Sequence, residues 1–224
     1  MKKIPWKYYL IALLIVLIDQ SLKLWVHYNM DMGHHGAIKL LGNWFKLSYV
    51  LNPGMAFGIQ FGFKYGKLLL TLTRIVVTGM IGRYIWRLWR EEHKPHLRLW
   101  SWALILGGAI GNVIDSTFYS VLLGNALPSA PMSWFHGQVI DMIHVDVWEA
   151  TVPTWVPFVG GQYVNAFPAI FNLADTAIFL GVLAILWARK DMSKSCKEHP
   201  PAPMASSPSP TEQSTSPGEP VENL

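Results

Sequence analysis

A single cysteine, Cys196, excludes an internal disulfide and any zinc site built from several thiolates. Charge is also scarce: Asp, Glu, Lys and Arg together make up 14% of the 224 residues, against about 25% in an ordinary soluble domain. From Val121 to Pro168 there is no lysine or arginine. No His-Glu-x-x-His sequence occurs, so His34, His35, His136 and the His144-x-Asp146 pair read as loop residues and no metal is expected. The hydroxyl residues lack the Ser/His/Asp or Ser/Lys spacing of a nucleophilic hydrolase.

Apolar residues, by contrast, account for 51% of the chain, which has a mean hydropathy of +0.27 and 11 tryptophans suited to membrane-interface belts. Four apolar stretches, Tyr8–Val26, Leu68–Leu88, Leu99–Phe118 and Ala169–Ala188, approach the ~20 residues a helix needs to cross the hydrocarbon core. The first is too long, and too polar near its end, for a cleaved leader. Basic residues gather in three places: Lys2, Lys3 and Lys7; Arg83, Arg87, Arg90, Lys94 and Arg98; and Arg189, Lys190, Lys194 and Lys197. Each group flanks a span, which predicts both termini in the cytoplasm and segments 27–66 and 119–168 outside. This clustering explains the net charge of +4 better than nucleic-acid binding does. Residues 1–190 are expected to form one membrane domain. Residues 191–224, rich in Pro, Ser, Thr and Glu towards their end, are expected to be a disordered tail.

Each apolar stretch contains polar groups that lipid would penalise by a few kcal/mol or more, so these groups are expected to face one another. Gly108, Asn112 and Asp115 recur on one face of the third span, Gly107 and Gly111 permit close helix approach, and Asn172 and Asp175 share a face of the fourth. Counted from the basic ends, Asp19, Asp115 and Asp175 reach similar heights in the outer half of the membrane. Outside it, Tyr49–Leu51 and Met55–Gly58 read as short extended pieces about an Asn52-Pro53-Gly54 turn. Trp134, Trp148, Trp155, Phe158, Tyr163 and Phe167 suggest an aromatic-rich cap, and Asp141 lies among apolar neighbours within it.

Asp19-Gln20-x-x-Lys23, Asn52-x-Gly54-x-Ala56-Phe57, Gly107-Gly108-Ala109-Ile110-Gly111-Asn112-x-x-Asp115, Val139-Ile140-Asp141 and Phe171-Asn172-x-Ala174-Asp175 resemble, in order, the motif series of bacterial lipoprotein signal peptidase, the type II signal peptidase. The resemblance implies an α-helical membrane protein with four transmembrane helices, a small periplasmic β-cradle and an outer helix. It further implies an aspartyl endopeptidase of the inner membrane, active near its periplasmic face. Such an enzyme removes signal peptides from prolipoproteins by cutting just before a diacylglyceryl-cysteine. No cofactor is implied, and the expected partners are this substrate and membrane lipid, with the protein acting as a monomer.

By motif position Asp141 and Asp175 resemble the catalytic pair. Two close carboxylates can share one proton, one activating water while the other protonates the departing amine. The resemblance gives Asn112 and Asn172 the task of orienting carboxylates or substrate. Asp19, Lys23 and Asp115 brace the helices, Gly108 lies in the same run, and Asn52 with Gly54 holds the extended substrate. Where the family pattern commonly has Arg after its Asp, this chain has Ser116; Arg74 in the second span is a candidate substitute or a structural counter-ion. The rival reading is a proton-coupled transporter relaying protons through the buried acids. An aspartyl protease of the presenilin or prepilin type is disfavoured because no Gly-x-Gly-Asp sequence occurs.

Overall fold

Runs of apolar residues too long for a strand become helices, and the shorter mixed segments between them pair as a sheet. The computed structural model describes residues 5–42, 44–53, 65–91, 96–151, 153–157, 161 and 163–198. In chain order the elements are α1 (Trp6–Asn29), β1 (Gly33–Leu41), β2 (Phe45–Asn52), α2 (Gly66–Trp89), α3 (His96–Leu123), β3 (Val139–Thr151), β4 (Tyr163–Phe171) and α4 (Leu173–Glu198). By length and composition α1, α2 and α3 can each cross a membrane, and α4 carries a shorter apolar stretch, Leu173–Ala188. Leu13, Leu17, Val76, Met80, Phe179 and Leu186 stand exposed on the outer faces of α1, α2 and α4, as lipid-facing side chains do.

The helices pack through α3. Its small residues set the spacing: a Cβ at Gly107 would lie 2.9 Å from the Ala12 carbonyl of α1, and one at Gly108 would overlap the Ala174 carbonyl of α4. A Cβ at Gly111 would lie 2.6 Å from Asp19 Oδ2. The close approach expected of the Gly107/Gly111 pair is therefore present: Gly107 faces α1, Gly108 faces α4, and Gly111 lies against Asp19 of α1 and Ala174 of α4. Helix α2 packs chiefly on α3. Two apolar clusters bracket the bundle: Tyr8, Ala12, Ile85, Leu88, Leu99, Ala103 and Leu106 at one end, and Val26, Met30, Tyr49, Tyr119, Ile140 and Met142 where the bundle meets the sheet. Between them along α1 and α3 lie Asp19, Lys23, Asn112 and Asp115.

The sheet is antiparallel throughout, in the order β1-β2-β3-β4. A register shift between Leu47 and Val50 sets Val50 opposite Asp141 and Asn52 opposite Val139. Gly124, with φ 65°, ends α3 in the left-handed conformation that glycine adopts freely. Asn125 and Gln138 then clamp the returning chain: Asn125 Nδ2 donates to the Gln138 carbonyl at 2.9 Å, and Gln138 Nε2 donates to the Asn125 carbonyl at 2.8 Å. This fixes the start of β3 against the end of α3, and with it the height of Asp141.

Several boundaries differ from the sequence expectation. Residues 169–171 belong to β4, not to the fourth helix, because Ala169, Ile170 and Phe171 pair with Val145, His144 and Ile143. Helix α3 continues to Leu123, past the expected start of the outer segment at 119, and α4 continues to Glu198, past the boundary at 190. Among the described residues, the outer segment after α3 forms strands and connections rather than a helix. The Met55–Gly58 piece and residues 199–224 of the tail lie outside the described residues.

Gly108→Ala should destabilise the protein by about 1–3 kcal/mol, the usual range for overpacking a filled interior. Gly79→Ala, where an added Cβ meets nothing within 4 Å, should be neutral or stabilising. Thermal unfolding of both variants in detergent checks the contrast.

Candidate active site

Helix α1 supplies Asp19 and Lys23 one turn apart, close enough for a direct ion pair at 2.7 Å. The same ammonium bonds Asp115 of α3 at 2.6 Å, and all three side chains are fully buried. Lys23 also donates to Asn112 Oδ1 at 3.3 Å. Gln20 closes the cluster by donating to Asp115 Oδ1 at 2.8 Å while accepting from the Tyr119 hydroxyl at 2.8 Å. Two acids around one ammonium leave an excess negative charge, and neutral donors help to satisfy it: Asp19 Oδ1 accepts the Ala174 backbone N–H of α4 at 2.9 Å.

The start of α4 carries the next layer. Asn172 directly precedes the helix, and its Oδ1 accepts the Asp175 N–H at 2.9 Å, an N-cap bond to the third helical residue. Asp175 thus occupies the first turn, where the unpaired N–H groups of the helix favour negative charge. Its Oδ1 accepts from Asn112 Nδ2 at 2.7 Å. Asp141 reaches the same place from the sheet. Since Ile143 pairs with Phe171, continuing the β3–β4 register brings Asn172 alongside Met142 and its neighbour Asp141. Asn172 Nδ2 donates to Asp141 Oδ1 at 2.7 Å, and Asn52 Nδ2 donates to Asp141 Oδ2 at 2.9 Å. A longer bond, Asn172 Nδ2 to Asn112 Oδ1 at 3.4 Å, links the amides that hold the two acids.

Asp141 is 2% exposed. Burial, assisted by the negative charge of Asp175, pushes its pKa up from 3.8 to about 6, against the opposing pull of the Asn52 and Asn172 amides and of Lys23. Around this pair the structure gathers Asp19, Lys23, Asn52, Asn112, Asp115 and Asn172. Gly108 contributes by letting α4 approach α3. Gly54 lies outside the described residues. Arg74 NH1 donates to Ser116 Oγ at 2.9 Å, and its charge interacts with Asp175, Asp115 and Asp141. The α2 guanidinium therefore stands beside the residue that departs from the family pattern.

Sequence reasoning missed the working partners of Gln20, Tyr119 and Thr71. Gln20 stands next to Asp19 and Tyr119 lies one turn beyond Asp115, so helix periodicity was the available signal. Thr71, fully buried in α2, donates to the Phe135 carbonyl at 2.9 Å, a partner 64 positions away that no local pattern announces. His144 joins Ser48 and Asp146 inside the sheet, with Lys46 on the far side of Asp146.

Residues 11–189 match the family described as signal peptidase (SPase) II. The chain is 61% identical over 186 residues to the lipoprotein signal peptidase of Amoebophilus asiaticus (strain 5a2), covering 83% of this chain and 78% of that protein. It is 38% identical over 186 residues to the lipoprotein signal peptidase of Porphyromonas gingivalis, with 79% of each chain covered. Among solved structures, a bacterial membrane enzyme determined by the in meso method shares the fold with a TM-score of 0.57 at 21% identity, over 89% of this chain and 98% of that one.

Lys23→Met should cost about 3–5 kcal/mol, because Asp19 and Asp115 would be left as unpaired buried carboxylates. The added substitutions Asp19→Asn and Asp115→Asn should recover part of that loss. Unfolding of the single and triple variants in detergent provides the comparison.

Proposed function

The chain belongs to the signal peptidase II family, and on that premise we propose that Asp141 and Asp175 are its catalytic dyad. The protein is a membrane-embedded, multi-pass bacterial protease that removes signal peptides from prolipoproteins. The observation that carries the dyad is the pair of linked amides: Asn172 grips Asp141 and Asn112 grips Asp175, while Asn172 also donates to Asn112. The transporter reading finds no support, since the relatives are named as peptidases.

In the proposed reaction one carboxylate takes a proton from water as the oxygen attacks the scissile carbonyl. The other carboxyl protonates the leaving amine. Burial and the charge of Asp175 hold the Asp141 carboxyl up at about 6, so Asp141 is the group we assign to carry the proton at mildly acidic pH. Asp175, held at the head of α4 by Asn112 Nδ2 at 2.7 Å, is the partner we assign to the attacking water. Arg74 is the group we assign to the substrate carbonyl. Its planar guanidinium is held on Ser116 Oγ, and its charge interacts with both Asp141 and Asp175. Lys23, Asp19 and Asp115 stay behind the reacting atoms as a brace.

The finer features of the reading are a cut just before a diacylglyceryl-cysteine, action as a monomer with lipid around the helices, both termini in the cytoplasm and the acids near the periplasmic face. The charge pattern supports this orientation: the outer segment from Val121 to Pro168 has no lysine or arginine, whereas Arg83, Arg87 and Arg90 crowd the opposite end of α2. A reporter fused after Lys190 should register cytoplasm, and one inserted near Ser129 should register periplasm. The opposite pattern would overturn the orientation.

Asp141→Asn and Asp175→Asn should each lower cleavage of a lipidated prolipoprotein by about 10²–10⁴-fold with folding intact, because an amide keeps the shape but cannot exchange the proton. Near-normal turnover by either variant would remove that residue from the dyad. Arg74→Ala and Arg74→Lys should both impair cleavage, since an ammonium lacks the planar two-point geometry.

The free-enzyme pH dependence follows from the raised carboxyl. Below about 6 Asp141 retains the shared proton, and above it the proton is lost, so kcat/KM should fall on the alkaline side. A kcat/KM still rising beyond neutral pH would contradict this assignment. Rates measured from pH 5 to about 9 in one detergent decide it.

A further inference from the structure

Helix α2 contributes Lys67 and Arg74, seven residues and therefore two helical turns apart, on the face that also carries Thr71. Arg74 reaches Ser116 of α3 and Thr71 reaches the Phe135 carbonyl. Lys67 does something different: its Nζ donates at 2.7 Å to the carbonyl of Pro53. Pro53 immediately follows Asn52, the residue whose amide holds Asp141 Oδ2 at 2.9 Å.

Asn52 is the last residue of β2, where the ladder's hold on the chain ends. Proline cannot donate a backbone hydrogen bond, so the chain just beyond Asn52 cannot be secured through the Pro53 nitrogen. Its carbonyl remains as an anchor, and the Lys67 ammonium takes it. The result is a chain of contacts from α2 through Pro53 and Asn52 to Asp141, linking a membrane helix to a carboxylate on the sheet.

We propose that Lys67 is a positioning residue for the reaction: by holding the Pro53 carbonyl it fixes the Asn52 amide against Asp141, and so sets the orientation of that acid. The inference rests on Asp141 being catalytic. Asp141 faces Asp175 of α4, Lys23 of α1 and Arg74 of α2, while Lys67 faces Arg74 and Asp115. A removed charge at Lys67 could therefore act through space as well as through Asn52, and the test must separate the two routes.

The measurement is kcat and KM across pH for the full-length protein in detergent, with a diacylglyceryl-modified prolipoprotein peptide as substrate. The variants are Lys67→Met, Lys67→Gln, Lys67→Arg, Asn52→Ala and the Lys67→Met/Asn52→Ala double. Lys67→Met should lower kcat by about 10- to 100-fold, the scale of a misplaced reacting group, with KM changed by less than about two-fold. Its alkaline limb should move to higher pH, as in Asn52→Ala, because a loosened amide no longer favours the ionised acid. The double variant should be no worse than Asn52→Ala alone, and Lys67→Arg should recover most of the lost rate.

Losses that multiply in the double variant would overturn the proposal in favour of a direct charge effect. A raised KM with unchanged kcat would overturn it in favour of substrate binding. Should Lys67→Met unfold, Lys67→Gln, which keeps a donor, takes its place in the same cycle, and multiplicative losses or a raised KM there overturn the proposal equally. Asp141→Asn separates the premise: wild-type cleavage by that variant defeats the dyad itself, whereas an inactive Asp141→Asn together with multiplicative losses defeats only the role of Lys67.

Discussion

One buried ammonium organises the interior. Lys23 lies between Asp19 and Asp115, and without it α1 and α3 would each bring an unpaired acid into the bundle. Because the ammonium holds one oxygen of Asp19, the other is oriented towards the Ala174 N–H, which ties the head of α4 to α1. The Lys23 bond to Asn112 directs that amide, whose NH2 then meets Asp175. The positions of both helix α4 and its acid trace back to this charge cluster. Hydrophobic burial alone would supply no such registry, since lipid is as apolar as the helix faces.

The sheet solves a different problem. Asp141 reaches the head of α4 without belonging to a membrane helix, because a strand delivers it there. The β3–β4 ladder fixes its depth through register, and β4 runs directly into α4 at Asn172. One side chain therefore serves as helix cap through its oxygen and as carboxylate donor through its nitrogen. Replacing the amide with a carboxylate would preserve the cap and lose the donor, which is why both functions fit asparagine.

Much of this was legible in the sequence. The common face of Gly108, Asn112 and Asp115 and the small-residue stripe follow from a period of 3.6 and are found as expected. The family resemblance brought Asp141 into the site, a contact no local pattern could give. What escaped was non-local or ambiguous. An apolar run starting at Ala169 reads equally as helix or buried strand, and only pairing with β3 resolved its first residues as strand. The partners of Arg74, Thr71 and Lys67 lie on other elements, so no local pattern in α2 shows what these side chains grip.

The direct passage from β4 into α4 also concentrates several separate bonds on one short stretch of chain. Asn172 and Asp175, and the Ala174 N–H that satisfies Asp19, all lie at the head of α4, the last described element of the chain. From that stretch Asp141 receives its inner amide and the Lys23 cluster receives one of its donors. Among the described residues, chain order therefore places Asn172, Asp175 and the Ala174 N–H after every other group of the polar cluster. A chain cut before Asn172 would lose the helix cap, the inner Asp141 donor and the Asp19 donor together.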